Sequence, residues 1–290
     1  MDNKKTVKKI CLITGANAGI GKAAAIQIAQ KGYRVIAGCR NKERGETALA
    51  EIKQQSKSDD VELMIIDMAS QKSIRAAVDA LTYSRLDVLI HNAADFDISR
   101  KNPVYSSDKI ETVWATNHLG PVLLTDILID RLKKSEQGRV ITIASKGLVV
   151  HPFLKVSIDD PEFKNRRFSV QKAYYQSKIA QVMYTYWLAE KLKDTGITVN
   201  CIRVTNVKLD LSRYPNLSEA QKKVYSVKSK SSITPEEMAR TYTYLATSPE
   251  MNTVTGKYFD EKNKTVSSSA YSRDDKKIAA VMDMTKKYLK

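Results

Sequence analysis

The stretch AYYQSK, residues 173–178, places Tyr174 four positions before Lys178 on a strongly periodic segment that predicts a helix. Residues four apart share one face of a helix, so the ammonium group of Lys178 can lie close to the phenol of Tyr174. An unperturbed phenol has a pKa of about 10 and is a poor acid–base catalyst at neutral pH, but a nearby positive charge lowers that pKa. The pair is therefore a candidate proton-transfer site, whereas Tyr175 has no lysine four positions on.

A glycine-rich turn, TGANAGIG (14–21), follows the first predicted strand and precedes the first predicted helix. Glycine lets the backbone approach a diphosphate closely, and the amino end of the following helix favours negative charge. The spacing of Gly15, Gly19 and Gly21 is G-x-x-x-G-x-G and differs from the commoner G-x-G-x-x-G. Tight turns also need glycine, but the position between a strand and a helix favours dinucleotide binding.

The end of the second predicted strand indicates which dinucleotide is bound. Sites for NAD tend to place Asp or Glu there, where the carboxylate binds the ribose 2′-hydroxyl. This chain has GCRNKER (38–44), with Cys39 and Arg40 at that place. A guanidinium group suits a phosphate, so the sequence predicts NADP(H). A solvated basic loop is the alternative, because the whole chain is basic.

These residues need a scaffold, and the chain alternates short β-rich runs with helical segments throughout. Such alternation predicts an α/β protein with a parallel sheet covered by helices on both faces. A Lys/Ser-rich stretch at 205–232 interrupts the pattern as a lid or insertion, and the basic tail at 273–289 predicts a terminal helix. The predicted strands are 8–14, 33–39, 61–67, 86–94, 138–145 and 197–204, and the longer helical segments are 107–134, 170–192 and 234–247.

Composition excludes several classes of protein. The 290 residues are 42% hydrophobic, and no apolar run approaches the roughly 20 residues of a membrane span. Three scattered cysteines and three scattered histidines predict reduced thiols and no metal site. The net charge of +16 is spread along the chain without a nucleic-acid motif, so nucleic acid is not expected as a partner. The charged N-terminus is followed by ICLITGANAGIGK, which glycines and a lysine interrupt, so it is not a signal peptide and the sequence predicts a cytoplasmic protein without a membrane anchor.

The chain resembles the short-chain dehydrogenase/reductase family, and within it the retinol-dehydrogenase-like branch. Each motif alone is modest, and a lone Tyr or Ser is more often a packing or turn residue. Their shared order over nearly the full length makes the resemblance specific. The motifs are TGANAGIG, AGCRNKERGE, IDMAS, LIHNAA, TNHLGPVLLT, GRVITIAS, RRFSVQKAYYQSKIAQVMYT and TGKYF.

The resemblance implies a single-domain Rossmann fold, a doubly wound parallel sheet of about seven strands, and a catalytic tetrad. Tyr174 is the implied general acid/base and also an implied cofactor contact, and Lys178 also bonds the nicotinamide ribose. Ser145 hydrogen-bonds the substrate oxygen. Asn117 holds a water that links Lys178 to solvent. The implied cofactor contacts are Gly15, Asn17, Gly19, Ile20 and Gly21 at the diphosphate and ribose, Arg40 at the 2′-phosphate, Asp67 at the adenine, and Asn92 with Ala93 at the adenosine ribose.

The expected activity is NADPH-dependent reduction of a carbonyl group, or the reverse alcohol oxidation. The expected domain spans 1–290, with a cofactor half at about 8–145, substrate segments at about 146–169 and 205–232, and a helical tail at about 266–290. The substrate is expected to be small and partly apolar, and the protein to be a homodimer or homotetramer.

The chain departs from the family pattern at HNAA (91–94) and at Val204-Thr205, where relatives have Pro-Gly. The second departure leaves open a dinucleotide-binding regulator without turnover. Reduction of an activated C=C bond by the same Tyr and Lys is the other alternative.

Overall fold

The computed structural model describes residues 8–211 and 217–289. Its strands form one parallel sheet, in which chain order reverses between the first and fourth strands. Ligands of open parallel sheets bind at such a reversal, beyond the carboxyl ends of the strands. The strands are β1 (Ile10–Thr14), β2 (Arg34–Cys39), β3 (Val61–Ile65), β4 (Val88–His91), β5 (Arg139–Ser145), β6 (Thr198–Val204) and β7 (Lys257–Phe259), in the order β3-β2-β1-β4-β5-β6-β7.

Helices cover both faces of this sheet, which confirms the predicted doubly wound fold. Leu12 of β1 belongs to one hydrophobic core, while its neighbours Cys11 and Ile13 belong to the other. This alternation follows from the two-residue period of a strand. The helices are α1 (Gly19–Gln30), α2 (Lys42–Ser56), α3 (Gln71–Asp79), α4 (Thr112–Trp114), α5 (Gly120–Lys133), α6 (Val170–Lys191), α7 (Glu219–Ser229), α8 (Pro235–Thr247) and α9 (Asp275–Lys286).

The prediction of one long helix over 107–134 is wrong for its first five residues, 107–111. Helix begins only at Thr112, because the carboxylate of Glu111 accepts hydrogen bonds from the backbone amides of Val113 and Trp114 and so caps that end. Residues Ala115–Leu119 then form a π-helical turn between α4 and α5. Such turns are rare and occur often at functional sites.

The Lys/Ser-rich insertion and the basic tail each contain a helix. An isolated parallel bridge between Val207 and Ile233 closes the base of the insertion, and α7 lies within it. The tail helix α9 packs on α6, and Tyr288 donates a hydrogen bond of 3.0 Å to the buried Glu162. No helix within residues 8–211 and 217–289 has the length and apolar character to cross a membrane.

Acid is expected to destabilise the fold through two enclosed histidines. Burial lowers the pKa of His91 and of His118 to about 3, and their Nε2 atoms lie 2.7 Å from the hydroxyls of Thr125 and Thr285. An unfolded histidine titrates near pH 6.5, so below that pH the unfolded chain binds protons that the folded chain does not. Each histidine therefore costs up to about 1.4 kcal/mol of stability per pH unit as pH falls from 6.5 towards 3.

A His118→Gln variant isolates one of these contributions. Between pH 7 and pH 5, the free energy of unfolding from urea titration should fall about 2 kcal/mol further in the wild type than in the variant. Glu111 has the opposite effect. Burial raises its pKa from 4.5 to about 7, so the stability of the fold decreases as pH rises through this range. That contribution is common to both proteins and cancels. Identical pH dependence in the two proteins would contradict the assignment.

Candidate active site

A cleft of about 1250 Å³ lies at the carboxyl ends of the strands, where chain order reverses between β1 and β4. It is lined by the glycine turn and by the predicted catalytic residues Ser145 and Tyr174. Among the predicted site residues only Asn117 and Lys178 do not line it, because both are buried beneath its surface. The predicted residues that line it are Gly15, Asn17, Gly19, Ile20, Gly21, Arg40, Asp67, Asn92, Ala93, Ser145 and Tyr174.

The glycine turn has no room for a side chain at Gly15 or at Gly21. A Cβ on Gly21 would lie 2.3 Å from Nδ2 of Asn92 and 2.4 Å from the carbonyl oxygen of Gly15. Gly15 has a φ of +69°, a conformation that favours glycine. The amide of Asn92 donates to the carbonyls of Thr14 and Gly15 at 3.0 and 3.1 Å, which ties β4 to the turn. A bare backbone loop at the start of α1 fits the diphosphate of a dinucleotide.

The residues predicted at the adenosine end lie along the same cleft. Arg40 is exposed there beside Arg44, and Asn41 caps α2 by accepting a hydrogen bond of 2.8 Å from the amide of Arg44. The carboxylate of Asp67 accepts a hydrogen bond of 3.0 Å from the amide of Ala69. The guanidinium groups of Arg40, just after β2, and of Arg44, in the first turn of α2, create a positive environment suited to a phosphate.

Lys178 lies behind Tyr174 on α6. Its ammonium group donates to the carbonyl of Ile143 at 3.0 Å and lies 5.5 Å from the centre of the Tyr174 ring. The side chain is 2% exposed, and desolvation lowers its pKa from 10.5 to about 8. The group therefore remains mostly charged at neutral pH without a carboxylate partner in the contacts described, and it projects that charge towards the phenol.

Ser145 ends β5 on the cleft wall. Its hydroxyl oxygen accepts a hydrogen bond of 3.2 Å from the amide of Gly147, so the hydroxyl hydrogen remains available for a ligand oxygen. Tyr175 packs on the same turn, where a Cβ on Gly147 would lie 2.3 Å from its hydroxyl. Burial raises the pKa of Tyr175, which makes it a poorer acid–base group.

Asn117 lies in the π-helical turn, and its side-chain amide binds the loop after β4. The oxygen accepts from the backbone amide of Asp95 at 2.7 Å, and the nitrogen donates to the Asp95 carbonyl and to the Ser177 hydroxyl, each at 3.1 Å. The side chain thus holds a loop in place, a role that sequence reasoning missed. The water implied by the family resemblance stays a prediction.

The end of β6 carries the unusual Val204-Thr205 pair on the cleft wall. A β-branched threonine would be strained if it had to adopt the positive φ of a glycine at this position. The non-glycine residues with positive φ in the part of the chain described are Lys57, Lys109, Phe163 and Asn263, so Thr205 carries no such strain. The segment is instead held by two backbone hydrogen bonds to Ile233. The amide of Ile233 donates to the carbonyl of Asn206, and the amide of Lys208 donates to the carbonyl of Ile233.

Phe96 and Asp95 also line the cleft, and no motif pointed to them. Both follow β4 in a loop whose path depends on its contact with Asn117, which a sequence pattern does not encode. In residues 8–211 and 217–289 no group of three His, Cys, Asp or Glu side chains is placed to hold a metal ion.

Comparisons with known proteins identify the family of this chain. The family model described as short chain dehydrogenase matches residues 9–156, and a model described as Enoyl-(Acyl carrier protein) reductase matches residues 163–260. The chain is 35% identical to Homo sapiens retinol dehydrogenase 13 over 260 residues, which cover 87% of this chain and 76% of the relative. Homo sapiens retinol dehydrogenase 12 is 34% identical over 259 residues, 89% of this chain and 79% of the relative.

A solved structure of an uncharacterised protein from Mycobacterium paratuberculosis has a TM-score of 0.74 with 23% identity, covering 98% of this chain and 94% of the other. That likeness concerns the fold. The family-model match and the relatives above 30% identity carry the assignment further. The chain belongs to the short-chain dehydrogenase/reductase family, in its retinol-dehydrogenase-like branch.

Proposed function

We propose that the protein is an NADP(H)-dependent oxidoreductase that interconverts a carbonyl and an alcohol, with Tyr174 as general acid/base. One observation carries the proposal: Tyr174 and Ser145 line the same cleft as the glycine turn, and the buried ammonium group of Lys178 lies behind Tyr174. The family is one of oxidoreductases that use a nicotinamide dinucleotide, and the glycine turn and Arg40 fit that group.

Each of these residues has a separate role in the proposed reaction. A bound nicotinamide cofactor supplies hydride for reduction or accepts it for oxidation. Ser145 donates its hydroxyl hydrogen to the substrate oxygen, where negative charge develops. The Tyr174 hydroxyl then gives that oxygen a proton, or removes one in the reverse direction. Lys178 stabilises the resulting phenolate by its charge, and Asn117 keeps the adjoining loop in place.

The substrate belongs at the mouth of the cleft, beside the segments 146–169 and 205–232. Leu209 and Tyr225 of the insertion line the cleft, and Phe153 of the other segment is 91% exposed. Such surfaces suit a partly apolar carbonyl compound, and the names of the relatives place retinoid aldehydes in the test panel. A cytoplasmic location and a homodimer or homotetramer stay predictions, tested by cell fractionation and by light scattering.

The test is NADPH oxidation, followed by absorbance, with aliphatic, aromatic, steroid and retinoid aldehydes and ketones. We expect turnover of at least one apolar carbonyl compound, and loss of that turnover in a Tyr174→Phe variant. The description of the second matching model, an enoyl reductase, favours a second candidate, so α,β-unsaturated substrates belong in the panel. Product analysis then distinguishes C=O from C=C reduction. Tight NADPH binding without any turnover would favour the regulatory alternative.

Arg40→Ala should weaken NADPH binding about 10- to 100-fold, because a charge-assisted hydrogen bond to a phosphate contributes about 1.5–3 kcal/mol. NADH has no 2′-phosphate, so its dissociation constant should change less than about twofold by the same reasoning. Fluorescence titration with both cofactors measures the two effects.

Lys42→Ala is the matched control, since Lys42 is two residues away and pairs with Glu46 at 3.8 Å on the exposed side of α2. It should leave both dissociation constants unchanged. A wild-type preference for NADH, or equal weakening of both cofactors in Arg40→Ala, would contradict the NADP(H) assignment.

A further inference from the structure

An aromatic side chain from the loop after β4 covers the candidate acid–base residue. The ring of Phe96 stacks on the ring of Tyr174 with centroids 4.1 Å apart and an interplanar angle of 26°. Phe96 is only partly buried and lines the same cleft. It therefore contacts Tyr174 on one side and borders the space for a ligand on another.

The backbone beside Phe96 is unusually well fixed for a loop. The side chain of Asn117 accepts a hydrogen bond of 2.7 Å from the backbone amide of Asp95 and donates one of 3.1 Å to the backbone carbonyl of Asp95. Arg100 donates to both carboxylate oxygens of Asp95 at 2.8 and 3.0 Å, and the Thr112 hydroxyl donates to one of them at 2.7 Å. Each bond restrains the residue next to Phe96, so the stacked ring has a defined position.

The same loop also contacts the insertion. The side chain of Gln221, on α7, donates a hydrogen bond of 3.2 Å to the carbonyl of Ile98. Leu209 and Tyr225 of the insertion line the cleft together with Phe96. The loop thus connects the insertion at the cleft mouth with the ring of Tyr174.

We infer that Phe96 is a positioning and specificity residue for the reaction proposed above, on which this inference rests. Its ring holds the Tyr174 phenol in the plane from which the hydroxyl reaches the substrate oxygen. The edge of the Phe96 ring that faces the cleft forms an apolar wall. The substituent on the carbonyl carbon of the substrate packs against this wall. The chemical class selected is a carbonyl compound with a bulky apolar substituent on that carbon, because aromatic rings stack and pack favourably with apolar groups.

Three variants test this assignment. Phe96→Leu should lower kcat about tenfold while NADPH affinity stays unchanged, and it should alter the ratio of kcat/KM between a small and a bulky apolar carbonyl substrate. Phe96→Tyr keeps the ring and should restore kcat. Phe168→Leu is the control, since Phe168 belongs to the same aromatic cluster but stacks edge-on against Phe163 at 5.7 Å; it should leave kcat and the substrate ratio unchanged.

A fluorine NMR measurement tests the contact between Phe96 and Tyr174 without depending on turnover. In protein labelled with 3-fluorotyrosine, the Tyr174 fluorine resonance is assigned by its loss in Tyr174→Phe. Phe96→Leu should shift that resonance, because the ring current at 4.1 Å is removed, and Phe168→Leu should not.

If the wild type reduces no substrate, the proposed function fails while the fluorine shift still reports on the stacking. An unshifted resonance in Phe96→Leu would overturn the inference. Wild-type kcat and substrate ranking in that variant would overturn it too, as would equal losses in Phe96→Leu and Phe168→Leu.

Discussion

Tyr174→Phe is expected to lower kcat by at least about 10²-fold, the usual scale of a lost general acid. The variant lacks one oxygen atom and keeps the ring that stacks on Phe96 at 4.1 Å, so the fold should be unchanged. NADPH affinity should also be retained, because the glycine turn and Arg40 lie elsewhere along the cleft. Steady-state kinetics with a substrate found in the carbonyl panel, together with fluorescence titration of NADPH, measures both effects.

Tyr175→Phe is the matched control for that experiment. Tyr175 is adjacent in sequence and also lines the cleft, but its hydroxyl packs against Gly147 and its ring lies 4.6 Å from that of His151. The ring of Tyr174 is the one that Lys178 approaches. Removal of the Tyr175 hydroxyl should therefore change kcat by less than about threefold, well below the scale of acid–base catalysis. Near-wild-type turnover in Tyr174→Phe would refute the mechanism.

Much of the fold follows from local patterns that tertiary contacts do not override. The start of α8 is an example, because Thr234 and Glu237 form the reciprocal hydrogen bonds of a capping box that TPEE predicts. The segment 107–111 shows the limit of such reasoning. The sequence pattern favours helix there, but the buried carboxylate of Glu111 accepts hydrogen bonds from the backbone amides of Val113 and Trp114. The helix therefore begins only at Thr112.

The candidate site divides in a similar way. Glycines at a strand-to-helix turn and a Tyr–Lys pair on one helix face follow from spacing alone, and the structure places them along one cleft. Phe96 has no spacing signal, since its contact with Tyr174 depends on a loop fixed by Asn117, 21 residues further along the sequence. Contacts between irregular segments depend on three-dimensional packing, which periodicity does not encode.

Lys178→Met is expected to abolish most activity and, at the same time, to stabilise the fold. Turnover should fall at least about 10²-fold, because the phenolate form of Tyr174 loses its positive neighbour. Burial lowers the pKa of Lys178 from 10.5 to about 8, so the buried charge costs on the order of 3 kcal/mol at neutral pH. Methionine has a similar shape and no charge. It loses the charge-assisted hydrogen bond to the carbonyl of Ile143, about 1.5–3 kcal/mol, which leaves a net stabilisation of up to about 1.5 kcal/mol.

The pH dependence of that stabilisation tests its cause. A lysine with a depressed folded pKa destabilises the protein below pH 8, and this destabilisation disappears as the unfolded chain loses its proton near pH 10.5. The difference in unfolding free energy between Lys178→Met and the wild type should therefore decrease between pH 8 and pH 10.5. Lys172→Met, on an exposed position of the same helix, should change neither stability nor turnover. A Lys178→Met protein that is less stable than the wild type at pH 7 would contradict this prediction, because the ammonium group would then support both the fold and catalysis.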